Sequence, residues 1–391
     1  MKILFIAPRF PYPLLKGDQL TVYRRIKEIS KSNEITLLTF SYGNTREGID
    51  FLSPICTGGI YCVPFNKITA IFNMIRYSVL GDMPFQVSLY ESKEFHKLLK
   101  DLLKKNHFDI VHFVLMRMDG YRSDVKNIPC VIDLIDSMVL NISRRIEFES
   151  GIKKYLLKLE LEKVRRLEGC IHEKYDKMIV CAPKDKEEIA GDNTVLIPST
   201  VDTKEFYPML DKRIPGCIVF SGNMGYAPNE HAVIWFMENV YPVLEAEKID
   251  FIFKIVGCNP SDRIKQLVNG RDNVIITGRV KSMPETLNTA MVSVAPMQSG
   301  SGMQGKILEA MACGVPVVAT KIGKGGITAD EENGLFAFNK INDIVTAIVN
   351  LLQDGNENFS IGNKAREYII KHYDDRMIYD IINDIYHGVK C

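Results

Sequence analysis

Between Met291 and Thr320 the chain reads MVSVAPMQSGSGMQGKILEAMACGVPVVAT. An apolar strand ends at Pro296, a glycine-rich turn follows, and a helix is expected from Met303. Gly300 and Gly302 let the backbone approach a ligand closely. The open amides of a helix start, aided by the helix dipole, suit an anion such as a pyrophosphate. Lys306 and Glu309 lie three apart and share one helix face, with Lys306 nearer the phosphate end. Lys306 would neutralise a diphosphate as a bond to it breaks, and Glu309 would accept hydrogen bonds from ribose hydroxyls. The same two residues also read as a surface ion pair beside an ordinary loop. Gly300-x-x-x-x-Gly305-Lys306 further matches most of a P-loop. Ile307 follows, however, where Ser or Thr is needed to hold magnesium, so P-loop hydrolysis is not expected.

Such a turn needs a sheet edge to carry it. Short apolar runs rich in Val, Ile and Phe alternate with helix-period segments, which predicts βαβ units and parallel sheets. Strands are expected at Lys2–Ala7, Glu34–Phe40, Ile60–Val63, Asp109–Phe113, Cys130–Asp133 and Lys177–Cys181. A second series falls near Cys217–Ser221, Phe251–Val256, Val274–Thr277, Val292–Ala295, Val315–Ala319 and Gly334–Phe338. The segment 195–208, VLIPSTVDTKEFYP, holds two prolines and no sustained period and reads as a linker. Two Rossmann-like doubly wound α/β domains follow, residues 1–198 and 199–373, with ligands at the carboxyl ends of the strands, facing a cleft. Near Asp375–Gly388 the spacing of Met377, Ile378, Ile381, Ile382 and Ile385 predicts a helix with one buried face.

The 391-residue length agrees with two domains, since single cores stop growing at about 250–300 residues. With 46% hydrophobic and 25% charged residues the chain has the composition of folded soluble protein. Through Pro198 there are 30 Lys and Arg against 25 Asp and Glu, and 19 against 23 beyond it. That asymmetry is too small for nucleic acid but compatible with a basic first half resting peripherally on an anionic membrane; Arg144–Lys177 alone holds ten basic and seven acidic residues. Nine scattered cysteines show no zinc spacing and suit reduced thiols in the cytoplasm. The start, MKILFIAPRF, breaks at Pro8 and Arg9 and does not read as a signal peptide. Ile68–Leu80, the most apolar stretch, is interrupted by Asn73 and Arg76 and is too short to span a bilayer.

Taken with its neighbours, the 291–320 window resembles glycosyltransferase family four, the retaining group with the GT-B fold. Its glycine-rich turn, Lys306 and the run from Glu309 through EAMACGVPVV look like that family's donor-binding signature. FSGNMGYAPNEHAVIWFMENVYP at 220–242 and ILFIAPRFPYPLLKGD at 3–18 resemble a bacterial exopolysaccharide-associated branch. With VGCNPS at 256–261 and TGRV at 277–280, the likeness spans nearly the whole chain.

The resemblance implies roles position by position. Gly222 and Asn223 match the turn that approaches the donor diphosphate, though Gly222 also suits any tight turn. Arg279 matches a loop at the base-binding and phosphate-binding edge, and is equally an ordinary loop arginine. Ser301, Gly302 and Met303 match the backbone over the donor phosphates and sugar. Gly17 and Asp18 match the loop that closes on the donor, or an ordinary turn before a helix. His112, in HFV at 112–114, is the catalytic candidate of the first domain, or a packed strand-end histidine. Asp133 and Asp136 look like an acidic pair that orients a sugar or acceptor hydroxyl, or caps the next helix. The C-terminal segment, 374–391, would pack back on the first domain.

Departures from the family pattern are specific. Eight residues before Glu309, where many members carry another glutamate, stands Ser301. Asn223 and Asn229 occupy places where many carry arginine and lysine, and Val114 replaces the second histidine of a His-x-His strand end. The resemblance implies transfer of a sugar from a nucleoside-diphosphate sugar to a hydroxyl of a glycan or lipid-linked glycan, without cofactor or metal. A GT-B sugar-nucleotide epimerase and a catalytically silent GT-B partner subunit are the alternatives.

Overall fold

Residues Lys2–Ala7 form the first strand, β1, and from Ile3 onward every side chain is buried. Leu4 and Ile6 enter one apolar cluster, Ile3, Phe5 and Ala7 the cluster on the opposite face. A strand covered on both sides loses polar alternation and reads as a continuous apolar run, the signature of a parallel sheet. The computed structural model describes residues 1–14, 17–147, 149–189, 191–299 and 303–390.

The first sheet adds β2 (Glu34–Ser41), β3 (Gly59–Pro64), β4 (Ile110–Val114), β5 (Cys130–Ile135), β6 (Lys177–Val180) and β7 (Thr194–Leu196). Its order is β3-β2-β1-β4-β5-β6-β7. The second holds β8 (Cys217–Ser221), β9 (Ile252–Val256), β10 (Val274–Gly278), β11 (Val292–Ala295), β12 (Val317–Thr320) and β13 (Leu335–Phe338), in the order β10-β9-β8-β11-β12-β13. All pairings are parallel. Each sheet is doubly wound, and its strand order reverses between β1 and β4 and between β8 and β11. Loops leaving those strands diverge, which opens a crevice at the carboxyl edge.

Six helices matter below: α1 (Gly17–Ile29), α2 (Lys67–Asn73), α3 (Gly151–Cys170), α4 (Ala227–Trp235), α5 (Gly305–Ala312) and α6 (Arg376–Lys390). The chain divides into two units, Met1–Pro198 with Ile378–Cys391, and Ser199–Met377. The C-terminal helix therefore returns to the first unit. Ile378, Ile382, Ile385 and Tyr386 form its buried stripe, and Lys390 Nζ pairs with Asp109 Oδ1 at 2.7 Å.

One expectation is corrected by the first sheet. Thr194–Leu196 is an edge strand paired with β6, not the start of a linker. Three residues are too few to show a period. Helix α5 begins at Gly305 rather than at Met303. Its far end is held by arginines: Arg213 Nη2 donates to Cys313 O at 3.1 Å and to Gly314 O at 2.7 Å, and Arg366 reaches Ala312 O. Cations on these terminal carbonyls complement the helix dipole and fix the helix that bears Lys306.

Candidate functional site

In the second unit the turns after β8, β9 and β10 are sewn together at the carboxyl edge. Gly222 N donates to Val256 O at 2.9 Å, Met224 N to Cys258 O at 2.9 Å, and Gly257 N to Gly278 O at 3.1 Å. The approach requires glycine at one point above all. Gly257 has φ +149°, and a Cβ there would sit 1.7 Å from the Gly222 carbonyl oxygen. Gly257→Ala is expected to lower unfolding stability by about 2–3 kcal/mol through overpacking. Gly355→Ala, where a Cβ meets nothing within 4 Å, serves as the control in the same urea titration.

Gly222 has a different purpose from the tight turn its sequence position suggests. A Cβ on it would fall 2.8 Å from Asn229 Nδ2, so its bare backbone makes room for that side chain. Asn229, on α4, donates to Asn223 O at 2.9 Å and accepts from Lys306 Nζ at 2.6 Å. Lys306 Nζ also lies 4.2 Å from the centre of the Phe220 ring and 3.7 Å from Met297 Sδ. Its hydrogen-bond partner is Asn229 and not the Glu309 carboxylate. Burial pushes the Lys306 pKa down to about 7, with the Glu309 charge working in the other direction. An ammonium that is this poorly solvated has most to gain from an incoming anion.

Gly222, Asn223 and Lys306 are thus brought together, and Asn229 joins them. Its sequence position shows only a polar side chain near a helix start; the contact with Lys306 spans 77 residues and has no local signal. Arg279 stands exposed immediately after β10. Glu309 is one turn along α5, partly exposed, and Met303 packs at the margin of an apolar cluster. Gln304, at the N-cap of α5, supplies no side-chain bond to the helix start. Gly300, Ser301 and Gly302 lie outside the described residues.

The first unit corrects three readings. His112 is fully buried on β4, stacked on Phe5 at 4.5 Å, with Nδ1 2.7 Å from the Tyr386 hydroxyl. Burial, and secondarily the Arg25 charge, drive its pKa down to about 3, so the imidazole is neutral. It is packed as a strand-end histidine, bonding α6 to the sheet through Nδ1, while Nε2 is buried without a hydrogen-bond partner. Asp133 is also interior: its Oδ2 accepts from Arg25 Nε at 3.1 Å, with both side chains no more than 3% exposed. Asp136 accepts from Asn141 Nδ2 at 3.3 Å. Neither aspartate caps the helix Met138–Glu147, whose first amides are met by Ser137 Oγ and the Glu168 carboxylate.

Gly17 and Asp18 open α1, and Asp18 has a partner the sequence did not disclose. Its Oδ2 lies 2.8 Å from Arg9 Nη1 and 3.8 Å from Arg117 Nη1. Arg9 follows β1 and Arg117 follows β4, so the two guanidinium groups flank the point where strand order reverses. Leu115, between β4 and Arg117, holds φ +62°, a strained setting for a branched side chain and one that recurs at functional sites. The available signal was an arginine two residues after one apolar strand and three residues after another.

A hollow beside Phe336, Phe338 and Ile361 contains none of these groups, and its Glu331, Asp343 and Glu357 carboxylates would repel a diphosphate. Among the described residues, no three His, Cys, Asp or Glu side chains gather as a metal site.

Comparison with known proteins bears on this same edge. Among solved structures, the chain is similar to sucrose-phosphate synthase from Thermosynechococcus elongatus, with a TM-score of 0.74 at 17% identity over 100% of this chain and 99% of that one. The fold is GT-B. A similar GT-B structure is Anabaena HepE in complex with UDP-glucose, with a TM-score of 0.67 at 14% identity over 99% of this chain and 100% of that one. Residues 215–354, which hold the whole Gly222–Asn223–Asn229–Lys306 cluster, match the family Glycosyl transferases group 1. Over the full length the chain is 22% identical to an uncharacterised 44.6 kDa protein in the cps region of Klebsiella pneumoniae, covering 97% of this chain and 98% of that one.

Proposed function

We propose that this protein is a retaining glycosyltransferase. It would move a sugar from a nucleoside-diphosphate sugar to a hydroxyl of a glycan or lipid-linked glycan, in the synthesis of a bacterial surface polysaccharide. The observation that carries the reading is Lys306, under-solvated at the start of a GT-B donor-side helix and held by Asn229 beside the Gly222 turn. HepE, of the same fold, is known in complex with UDP-glucose, and the cps-region relative agrees with a polysaccharide setting.

In this reading the diphosphate lies across the start of α5, with Lys306 leaving Asn229 to meet it. Arg279 approaches a phosphate or the base, and Glu309 the ribose. The family resemblance assigns the sugar to Ser301, Gly302 and Met303, and a further donor contact to Gly17 and Asp18. Catalysis rests on stabilising charge on the departing diphosphate and on orienting the acceptor. A diphosphate oxygen takes the acceptor proton on the face the leaving group vacates, so the anomeric configuration is retained and no enzyme nucleophile is required. The reaction as drawn uses no metal or cofactor.

The test begins with a panel of sugar nucleotides and nucleoside diphosphates scored by thermal shift, since a ligand bound only to the folded state raises its melting temperature. The hit is then incubated with acceptors. Release of nucleoside diphosphate with formation of a glycoside supports transfer. An isomerised donor, or binding with no turnover across all acceptors, would sink it.

Lys306 adds a pH signature. Its pKa is about 7 in the unliganded protein, and an adjacent diphosphate raises it by favouring the charged form. Above pH 7 the unliganded amine is therefore neutral and the liganded one charged, so binding takes up a proton. Affinity should weaken as pH climbs from 7 toward the liganded value, and level off below 7, where both forms are protonated. Calorimetry at pH 8 in buffers of different ionisation enthalpy measures the uptake. Lys306→Met should abolish it, and unchanged uptake in that variant would assign the proton elsewhere.

A further inference from the structure

The helix α2 and the π-helical turns that continue it, Met74–Val79, wear their apolar side outward. Ile68, Phe72, Ile75 and Val79, spaced four, three and four apart, form one stripe, with Ile71 and Leu80 beside it. These six side chains are 48% to 81% exposed, whereas the inward positions are the small Ala70 and Ser78. Ordinary surface helices do the reverse. The arrangement is held firmly. Asn66 caps the first turn through Ile68 N and Thr69 N, and Lys163 Nζ, from α3, donates to the Ser78 and Gly81 carbonyls at the far end.

A second outward stripe leads to the first. On α3, Ile152, Tyr155, Leu156 and Leu159 are 40% to 81% exposed, at helical spacing. The next positions on that face are Lys163, already described, and Arg166, which meets Asp82 at 3.4 Å. The α3 stripe therefore runs into the end of the α2 segment, and ten exposed apolar side chains share one region of the first unit. Contiguous apolar surface of this extent marks an interaction site.

Charge identifies the occupant. Residues 67–80 contain Lys67 and Arg76, and residues 151–159 contain Lys153, which pairs with Glu149 at 2.6 Å, and Lys154 and Lys158; neither segment has an Asp or Glu of its own. A second copy of this chain would bring like charges together across the contact. A bilayer with anionic headgroups accepts both components, taking the apolar side chains below the headgroups and the lysines and arginine at their level. Phe72, Tyr77 and Tyr155 supply the aromatic character favoured at that depth. We propose that this face docks the protein peripherally on a membrane rich in anionic phospholipid. No helix among the described residues is long and apolar enough to cross one.

The experiment is co-sedimentation of the full chain with vesicles of phosphatidylcholine alone and of phosphatidylcholine mixed with phosphatidylglycerol. Binding to the mixed vesicles, weakened by added salt, is expected. The double variant Ile68→Ser, Phe72→Ser should bind roughly tenfold or more weakly, since each inserted side chain removes apolar area from water. Its melting temperature should be unchanged, because both side chains are already exposed. Replacing Lys153, Lys154 and Lys158 by Gln should reduce binding to mixed vesicles only. Equal sedimentation with both vesicles, sedimentation with neither, or full binding by the folded double variant would overturn the proposal. Dimerisation without lipid that the double variant abolishes would assign the face to a second copy instead.

Discussion

Lys306→Ala is expected to lower the rate of donor cleavage by about 10²–10³-fold, the usual cost of deleting one group aimed at developing negative charge. The fold should survive. Lys306 contributes one hydrogen bond to a neutral amide and an under-solvated amine, and Asn229 keeps its bond to Asn223 O when the lysine is gone. Donor affinity should weaken and kcat should fall further, because the diphosphate, already anionic when bound, gains more charge as the glycosyl bond breaks. Lys306→Arg should recover little, since the longer guanidinium spreads its charge over a fork and does not reproduce the compact ammonium that sits 2.6 Å from Asn229 Oδ1. Circular dichroism establishes folding, and single-turnover release of nucleoside diphosphate measures the step. Turnover near the parent rate at saturating donor would remove Lys306 from the mechanism and, with it, the main support for the proposed reaction.

Asp133→Ala should cost about 3–5 kcal/mol of stability, the range for removing one partner of a buried ion pair. The pair lies inside the first sheet's covering layer, with Arg25 on α1 and Asp133 on β5. Arg25 Nη1 has no hydrogen-bond partner and Nη2 only a 3.4 Å contact to Ile197 O, so losing Asp133 leaves a charge the protein cannot resolvate. The double replacement Arg25→Met, Asp133→Leu should regain most of the loss, because two apolar groups of similar size need no partner. Urea denaturation of the three variants checks both statements. A loss under about 1 kcal/mol in the single variant would mean that water reaches Arg25 and would reopen Asp133 as a ligand-facing residue.

What the sequence could disclose followed the range of the interactions. Strands β1, β8 and β11 are near-continuous apolar runs, because burial on both faces leaves composition little choice, and so they were legible without coordinates. β7 was not, since a three-residue edge strand is defined by its neighbour β6 rather than by its own pattern. The outward stripe of α2 was equally hidden. Its periodicity alone describes a buried face, and only its place on the first unit shows which way the stripe points.

The site divides along the same line. Local composition and spacing were enough for the two doubly wound sheets and for the chemistry of the α5 start, where glycines, Lys306 and Glu309 fall within ten residues. The partners came from the folded chain. It set Asn229 on Lys306 across 77 residues, and Arg9 and Arg117 around Asp18. It also took His112 and Asp133 out of the site by giving them Tyr386 and Arg25. A histidine or aspartate at a strand end has the same sequence signature whether it faces a ligand or the interior. The choice depends on which distant side chain satisfies its polar atoms, and that pairing exists only once the chain has folded.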